Sequence, residues 1–468
     1  MRKESRVHPY IPNSVPEVKQ EMLNEIGVRN SEELYAEMIP KRLRLKKPLR
    51  LPKPLPSEHD LSRHMAAVLS KNRTCRHPPS FLGGGCWQHF VPAVCDEIAG
   101  RSEFLTAYSG ENYTDLGRFQ AFFEFQSMIG ELVGMEVACL STYDWGASAG
   151  FAIRMASRMN GRREILVPRT ISPARLSIIR NFAQLPEMPE YIRIVEVGYD
   201  RETGMMDLED LKGKISSRTS SVYFENPSYL GVIESEGDEI SKMAHEVGAE
   251  SVVGVDPISL GLLVPPSSYG ADIVCGEVQS LGIHMNCGGG LAGFIASRDE
   301  EKYVGEYPTH LVSITKTRGG NGFGFGYCRY ERSSYVAREK AKDWVGTATA
   351  MWSIVGATYM ALMGPRGMQE IGEAIMQKSH YAAEVLSEIR GVRIVFPHFF
   401  KEFVANFDRT GKSAGGINKA LLRKGLFGGK DITREFPELG GCALYCVTES
   451  HTKENIDMLG EAIRRAVR

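Results

Sequence analysis

The chain has no long apolar run, no surplus of charge and no cysteine framework, and each absence removes a class of function. Its most apolar stretch, WSIVGATYMALMG at 352–364, spans 13 residues, whereas a helix that crosses a bilayer needs about 20. The opening MRKESRVHPYIPNS lacks an apolar segment of signal-peptide type, so the expectation is a cytoplasmic protein with no membrane partner. Lysine and arginine number 56 against 57 acidic residues, a net charge of −1, which offers nothing to attract nucleic acid. Nine cysteines lie at irregular spacing, and an odd, unpatterned set suits a reducing compartment better than a disulfide scaffold. One further absence is local: no lysine lies between Lys242 and Lys302.

What is present reads as a multi-module α/β protein. With 468 residues, 43 % of them hydrophobic, the chain can build two or three modules with extensive cores. Residues 1–60 read as an N-terminal arm, and KKPLRLPKPLPSEHD (46–60) is a basic, proline-rich connector expected to run extended. Residues 61–335 alternate short β-rich runs with helical patterns. The strand candidates are EILVP (164–168), IRIVEVG (192–198), SSVYF (220–224), SVVGV (251–255), DIVCG (272–276) and LAGFIAS (291–297). Helical stretches such as DEISKMAHEVG (238–248) separate them, which predicts βαβ units and a mostly parallel sheet covered on both faces. RFQAFFEFQSMIGELV (118–133) has apolar residues at helical spacing and reads as a core helix. Residues 336–468 read as a long helix followed by a smaller α+β domain.

Several motifs suggest chemistry. Gly146-Ala147-Ser148-Ala149-Gly150 matches the nucleophile elbow of hydrolases, but it precedes nearly every strand. The better reading is a small-residue turn opening a helix, whose free N–H groups could hold an anion. Cys75, His77, Cys86 and His89 could suggest zinc, yet the spacing matches no common structural pattern and no metal is expected. Cys442 and Cys446 read as core sulfurs sharing one face of a strand. GGNGFGFG (319–326) fits neither the dinucleotide nor the phosphate-loop pattern. It reads as a flexible loop or bulged hairpin, with Lys316 and Arg318 beside it as candidates for anion contact. Asp256 closes an apolar strand, at the edge where α/β sheets place ligand sites. In pyridoxal enzymes of this class an acid there faces the pyridine nitrogen, and the next strand end carries a lysine. Here the next strand end reads GEVQSLG (276–282), with Ser280 at the candidate position.

These residues resemble the glycine dehydrogenase (decarboxylating) family, the P-protein of the glycine cleavage system, in its split form. The resemblance rests on HPYIPNS, FLGGG (81–85), EIAGRSEFLTAY (97–108), FFEFQSMIGELVGMEVA (122–138), DPISLGLL (256–263), YGADIVCGEVQSLGI (269–283), REKA (338–341) and VTE (447–449), and covers nearly the whole chain. It implies a pyridoxal-phosphate-dependent transferase-like fold (fold type I) and places this chain as the N-terminal subunit of a two-chain enzyme. The Schiff-base lysine and the cofactor pyridoxal phosphate would then belong to a homologous subunit 2, with no catalytic residue in this chain. The implied assembly is an αβ pair, doubled to a heterotetramer. The implied reaction is glycine decarboxylation, with transfer of the aminomethyl group to the lipoyl arm of the H-protein carrier.

Three segments depart from the family's pattern: SGENYTDLGR (109–118), YDWGASAG (143–150) and KDWVGTATA (342–350). The resemblance places all three near the cofactor or the interface. Tyr108, Asn112 and Tyr113 are accordingly expected to face the partner's site, with Ser148, Lys316 and Arg318 lining it. Asp256 and Ser280 are expected to be positional relics of the ring acid and the lysine, and Arg338 and Lys340 to be surface helix charges. A diverged paralogue, either a non-catalytic partner or a half-enzyme for another amino acid, is the second reading.

Overall fold

A computed structural model of the chain describes residues 7, 10–11, 14–47, 49–72, 74, 79–105, 116–184, 191–285, 292–328, 332, 342–345 and 350–468. It divides into two compact units, Met1–Arg73 and Thr74–Arg468.

The first unit carries helices Pro16–Ile26, Ser31–Met38 and Glu58–Leu69. Each has a local reason to start or stop. Gly27 ends the first in the left-handed conformation, and the side chains of Asn30 and Ser57 accept backbone N–H groups at the start of the second and third. Residues 49–56, rich in proline, form neither helix nor strand.

The second unit is built on a seven-stranded sheet. Its strands are β1 (Val137–Ala138), β2 (Glu164–Pro168), β3 (Arg193–Val197), β4 (Thr219–Asn226), β5 (Glu250–Val255), β6 (Ile273–Glu277) and β7 (Gly293–Ser297), in spatial order β1-β7-β6-β5-β4-β2-β3. The run β3-β2-β4-β5-β6 is parallel, while β7 is antiparallel to β6 and β1 to β7. The expected mostly parallel sheet is therefore present. Every residue of β2, β4, β6 and β7 is buried, as required of strands covered on both faces. Alternate residues feed opposite cores. Ile165, Tyr223, Val252, Ile273 and Ile295 pack with helix Trp145–Asn160 on one face. Leu166, Val222, Val253, Val274 and Phe294 pack with helices Phe119–Val133 and Gly237–Glu246 on the other.

Strands β8 (Val312–Lys316) and β9 (Phe323–Tyr327) form a separate hairpin, so the glycine-dense run supplies its turn and second strand. Helix Ala350–Ser387 is broken at Gly364 (φ 60°, ψ 178°), just before Pro365. Its first half joins the core of the large sheet, and its last turns join that of a smaller one. The smaller sheet is antiparallel, in order β10-β11-β13-β12: β10 (Arg393–Ile394), β11 (Glu402–Asn406), β12 (Lys430–Asp431) and β13 (Cys442–Cys446). Helices Ala414–Arg423 and Lys453–Ala466 pack against it. Cys442 and Cys446 are both buried on β13.

Candidate functional site

The parallel strands end on one side of the large sheet, and their ends carry acids: Glu225 next to last in β4, Asp256 directly after β5, and Glu277 closing β6. Trp87, Trp145, Arg175, Asp256, Lys401 and Glu402 converge there around one cavity. Lys401 and Glu402 come from the smaller sheet, and Trp87 from the segment 81–90, which runs beside β13 through Leu82–Tyr445 pairing.

Asp256 already has a cationic partner. Its Oδ1 caps the following 3-10 turn by accepting from Ile258 N at 3.3 Å, and its Oδ2 lies 2.6 Å from Lys401 Nζ. Both side chains are under 5 % exposed, so the pair is buried and mutually required. Lys401 Nζ also lies 3.1 Å from His89 Nε2 and 3.4 Å from the centroid of the Trp87 ring. On its other side the His89 ring meets Glu449 Oε2 through Nδ1 at 2.8 Å. An ammonium has donors only, so His89 Nε2 is the acceptor in the first contact. The neutral ring then carries its proton on Nδ1 and donates it to Glu449. Burial opposes ionisation of Glu449, while the hydrogen bonds it accepts from His89 and from Phe90 N favour the carboxylate. The result is a continuous polar chain, Asp256–Lys401–His89–Glu449.

A second buried pair closes the other wall. Arg175 donates to both oxygens of Glu225 at 2.7 Å, Tyr223 donates to the same carboxylate at 2.9 Å, and the guanidinium stacks on Trp145 at 4.0 Å. Trp145, which departs from the family pattern, has its space provided by Gly254 on β5. A Cβ there would lie 2.8 Å from the indole nitrogen and 2.6 Å from the Tyr223 hydroxyl. Glu402 accepts from Gly84 N at 2.6 Å, where the backbone has φ +117°, a conformation that favours glycine. The space left among these residues is a cavity of about 10 Å3, at the limit for one water molecule. Small-ligand sites occupy roughly 300–1,000 Å3.

Ser280 lies in the turn after β6, fully buried, and its hydroxyl finds no hydrogen-bond partner among the described residues. Glu277, two residues after the middle of that strand end, accepts from Gln279 N at 3.0 Å and Trp145 N at 3.4 Å. Burial, followed by the nearby Asp144, pushes its carboxyl up to about 8.

Ser148 sits in the first turn of helix Trp145–Asn160, buried, with its hydroxyl 2.5 Å from Thr142 Oγ1 and donating to Asp144 O at 3.0 Å. The helix start is as expected, but its use as an anion site is not. Asp144 takes the Ala147 N–H at 2.7 Å and Glu277 takes that of Trp145, so the chain's own acids already occupy the helix N-terminus. The buried, helical setting of Ser148 is also unlike an exposed nucleophile elbow.

The remaining sequence candidates fall elsewhere. Lys316 ends β8 and Arg318 lies in the exposed hairpin turn, and neither lines the Asp256 cavity. Tyr108, Asn112, Tyr113, Arg338, Lys340, Cys75 and His77 lie outside the described residues. His89 spends both ring nitrogens on Glu449 and Lys401, and among the described residues no cluster of three or more His, Cys, Asp or Glu side chains could hold a metal.

Sequence reasoning missed Lys401, Trp87, Arg175 and Glu402, and it weighed His89 only as a zinc ligand, not as the partner of Lys401 and Glu449. Asp256 and the strand end GEVQSLG pointed to this place, and FLGGG and Trp145 lie beside it. Pyridoxal phosphate does not fit this pocket. No lysine stands at the strand end, the ring acid is paired internally, the cavity is too small, and carboxylates hold the helix N-terminus.

The model of one family, described as glycine cleavage system P-protein, matches residues 8–463. The chain is 38 % identical over 465 residues to "Probable glycine dehydrogenase (decarboxylating) subunit 1" of Staphylothermus marinus, covering 97 % of each. It is 37 % identical over 461 residues to the protein of the same name from Pyrococcus horikoshii, covering 98 % of this chain and 99 % of that one. Among solved structures, a glycine decarboxylase (P-protein) of the glycine cleavage system in inhibitor-bound form superposes with a TM-score of 0.83 and 32 % identity, over 98 % of this chain and all of that one. A sphingosine-1-phosphate lyase from Burkholderia pseudomallei shares the fold at a TM-score of 0.64 and 14 % identity, over 92 % of this chain and 94 % of that one.

Proposed function

Because the chain belongs to the glycine cleavage system P-protein family, we propose that it works as subunit 1 of a two-chain glycine decarboxylase. The enzyme releases carbon dioxide from glycine and passes the aminomethyl group to the lipoyl arm of the H-protein. Its pyridoxal phosphate is held by the homologous, lysine-bearing subunit 2. The observation that carries this division of labour is the closed strand-end pocket, with Ser280 in place of lysine and Asp256 bound to Lys401.

This chain's contribution is then structural and proximal: it supplies half the walls of a site whose chemistry lies in the partner. Tyr108, Asn112 and Tyr113 are assigned to the face turned toward that site. Lys316 and Arg318, on an exposed cationic hairpin, are assigned to contact with substrate carboxylate or cofactor phosphate. The working assembly is an αβ pair, doubled. No described helix is long and apolar enough to cross a membrane, and the described cysteines carry free thiols, which suits a reducing cytoplasm.

The test is reconstitution. The isolated chain mixed with pyridoxal phosphate should show neither aldimine absorbance nor glycine–bicarbonate exchange. Both should appear when subunit 2 and the lipoylated carrier are added. An internal aldimine on the lone chain would overturn the half-site reading, and a stable pair without exchange would overturn glycine as substrate.

A further inference from the structure

We propose that the strand-end pocket is a built ammonium site and that Lys401 is its tethered occupant, holding this chain's cofactor position shut. An alkylammonium carries a positive charge and three N–H donors, and three groups that attract it surround Lys401 Nζ, the first of them as an ion pair. They are the Asp256 carboxylate at 2.6 Å, the His89 Nε2 lone pair at 3.1 Å and the Trp87 ring face at 3.4 Å. Each acceptor is of a different kind and each is held from behind. Asp256 is fixed by the turn it caps, through Ile258 N. His89 is fixed in its Nδ1–H tautomer by Glu449, which in turn accepts from Phe90 N at 2.6 Å. Trp87 lies in the segment whose backbone is tied to the smaller sheet by Gly84 N to Glu402 and by Thr448 Oγ1 to Gln88 O.

The acceptors come from two separate parts of the fold, the end of β5 and the segment 81–90, and Lys401 itself comes from a third, the residue before β11. One ammonium therefore joins all three. A cation next to Asp256 answers the charge that a protonated pyridine ring would otherwise answer, and it does so without leaving space for a ring. The chemical class the site accepts is a primary alkylammonium. The inference rests on the geometry and stands whether or not the two-chain reading holds.

The full-length Lys401→Ala chain tests it, because the truncation removes the equivalent of n-propylammonium. Calorimetric titration of n-propylammonium chloride into this variant should show saturable binding at one site per chain, with a matching rise in thermal midpoint. The wild-type chain should bind none, and n-propanol at the same concentration should raise the variant's midpoint several-fold less. Equal rescue by propanol would reduce the site to a filled volume, and an equal response of the wild type would make the effect non-specific; either result overturns the proposal. A folded variant that binds no propylammonium would overturn it as well. If Lys401→Ala does not fold, Lys401→Met and the double variant Asp256→Asn/Lys401→Met decide. The double variant should be the more stable of the two, since removing both charges leaves none unpaired. A double variant no more stable than Lys401→Met would sink the proposal.

Discussion

At the end of β5 the chain has an aspartate, and at the end of β6, one strand over, it has a serine where the family resemblance leads one to expect a lysine in the other subunit. The two positions are equally buried but differ in what burial demands. An ionised carboxylate in a low-dielectric interior needs a counter-charge, and Asp256 finds one in Lys401 at 2.6 Å. A hydroxyl can be left without a partner at modest cost, and Ser280 is left so among the described residues. The acid therefore organises a network of four side chains, while the serine organises nothing. Absence of the lysine is a local change; retention of the acid has consequences across two sheets.

That contrast can be broken first from the acid side. Asp256→Ala leaves Lys401 buried and unpaired, and should cost about 3–5 kcal/mol, read as a shift in the denaturant midpoint. A loss below about 1 kcal/mol would mean that the pair does not hold the site.

A second effect concerns pH and the other strand end. The Glu277 carboxyl is raised to about 8 from an ordinary 4.5. Its contribution to stability is full below pH 4.5, where both states are protonated. It declines as the pH rises toward 8, because the unfolded chain ionises first. The thermal midpoint of Glu277→Gln should therefore fall less than that of the wild type over this interval. Parallel profiles would show that Glu277 is not held protonated.

Third, Gly254→Ala sets a methyl against Trp145 and Tyr223 and should cost about 1–3 kcal/mol. Adding Trp145→Phe should recover part of that loss, and no recovery would place the strain elsewhere. Last, Ser280→Ala removes a buried hydroxyl without a partner among the described residues and should leave stability unchanged or raise it by about 1 kcal/mol, with no loss beyond about 0.5 kcal/mol. A larger loss would erase the difference between the two strand ends.

Much of the fold was legible. EILVP became β2 residue for residue, and the other five strand candidates of the large sheet fall within one to two residues of β3 to β7. Strands buried on both faces are written as short β-branched and apolar runs, which survive as a local signal. Asp256 was legible for the same reason, because it terminates such a run. The network around it was not. Lys401 and His89 are 312 residues apart, and nothing in FFKEF or WQHF distinguishes a buried lysine or histidine from an exposed one. The anion site expected at Ser148 failed for a related reason. Small residues correctly announced the helix start, but Glu277, which occupies one of its N–H groups, arrives from another strand.

The α/β class, the positions of the strands along the chain, the missing lysine and the family resemblance could be read from the amino-acid order alone, because these depend on periodicity and on residues close together in the chain. What the missing lysine means for this chain, and in what spatial order the strands lie, depends on contacts between distant segments. Two indoles, an arginine and a lysine from distant segments fill the pocket and neutralise its acid. Charge pairing and close packing act through space at a few ångströms, without regard to separation along the chain.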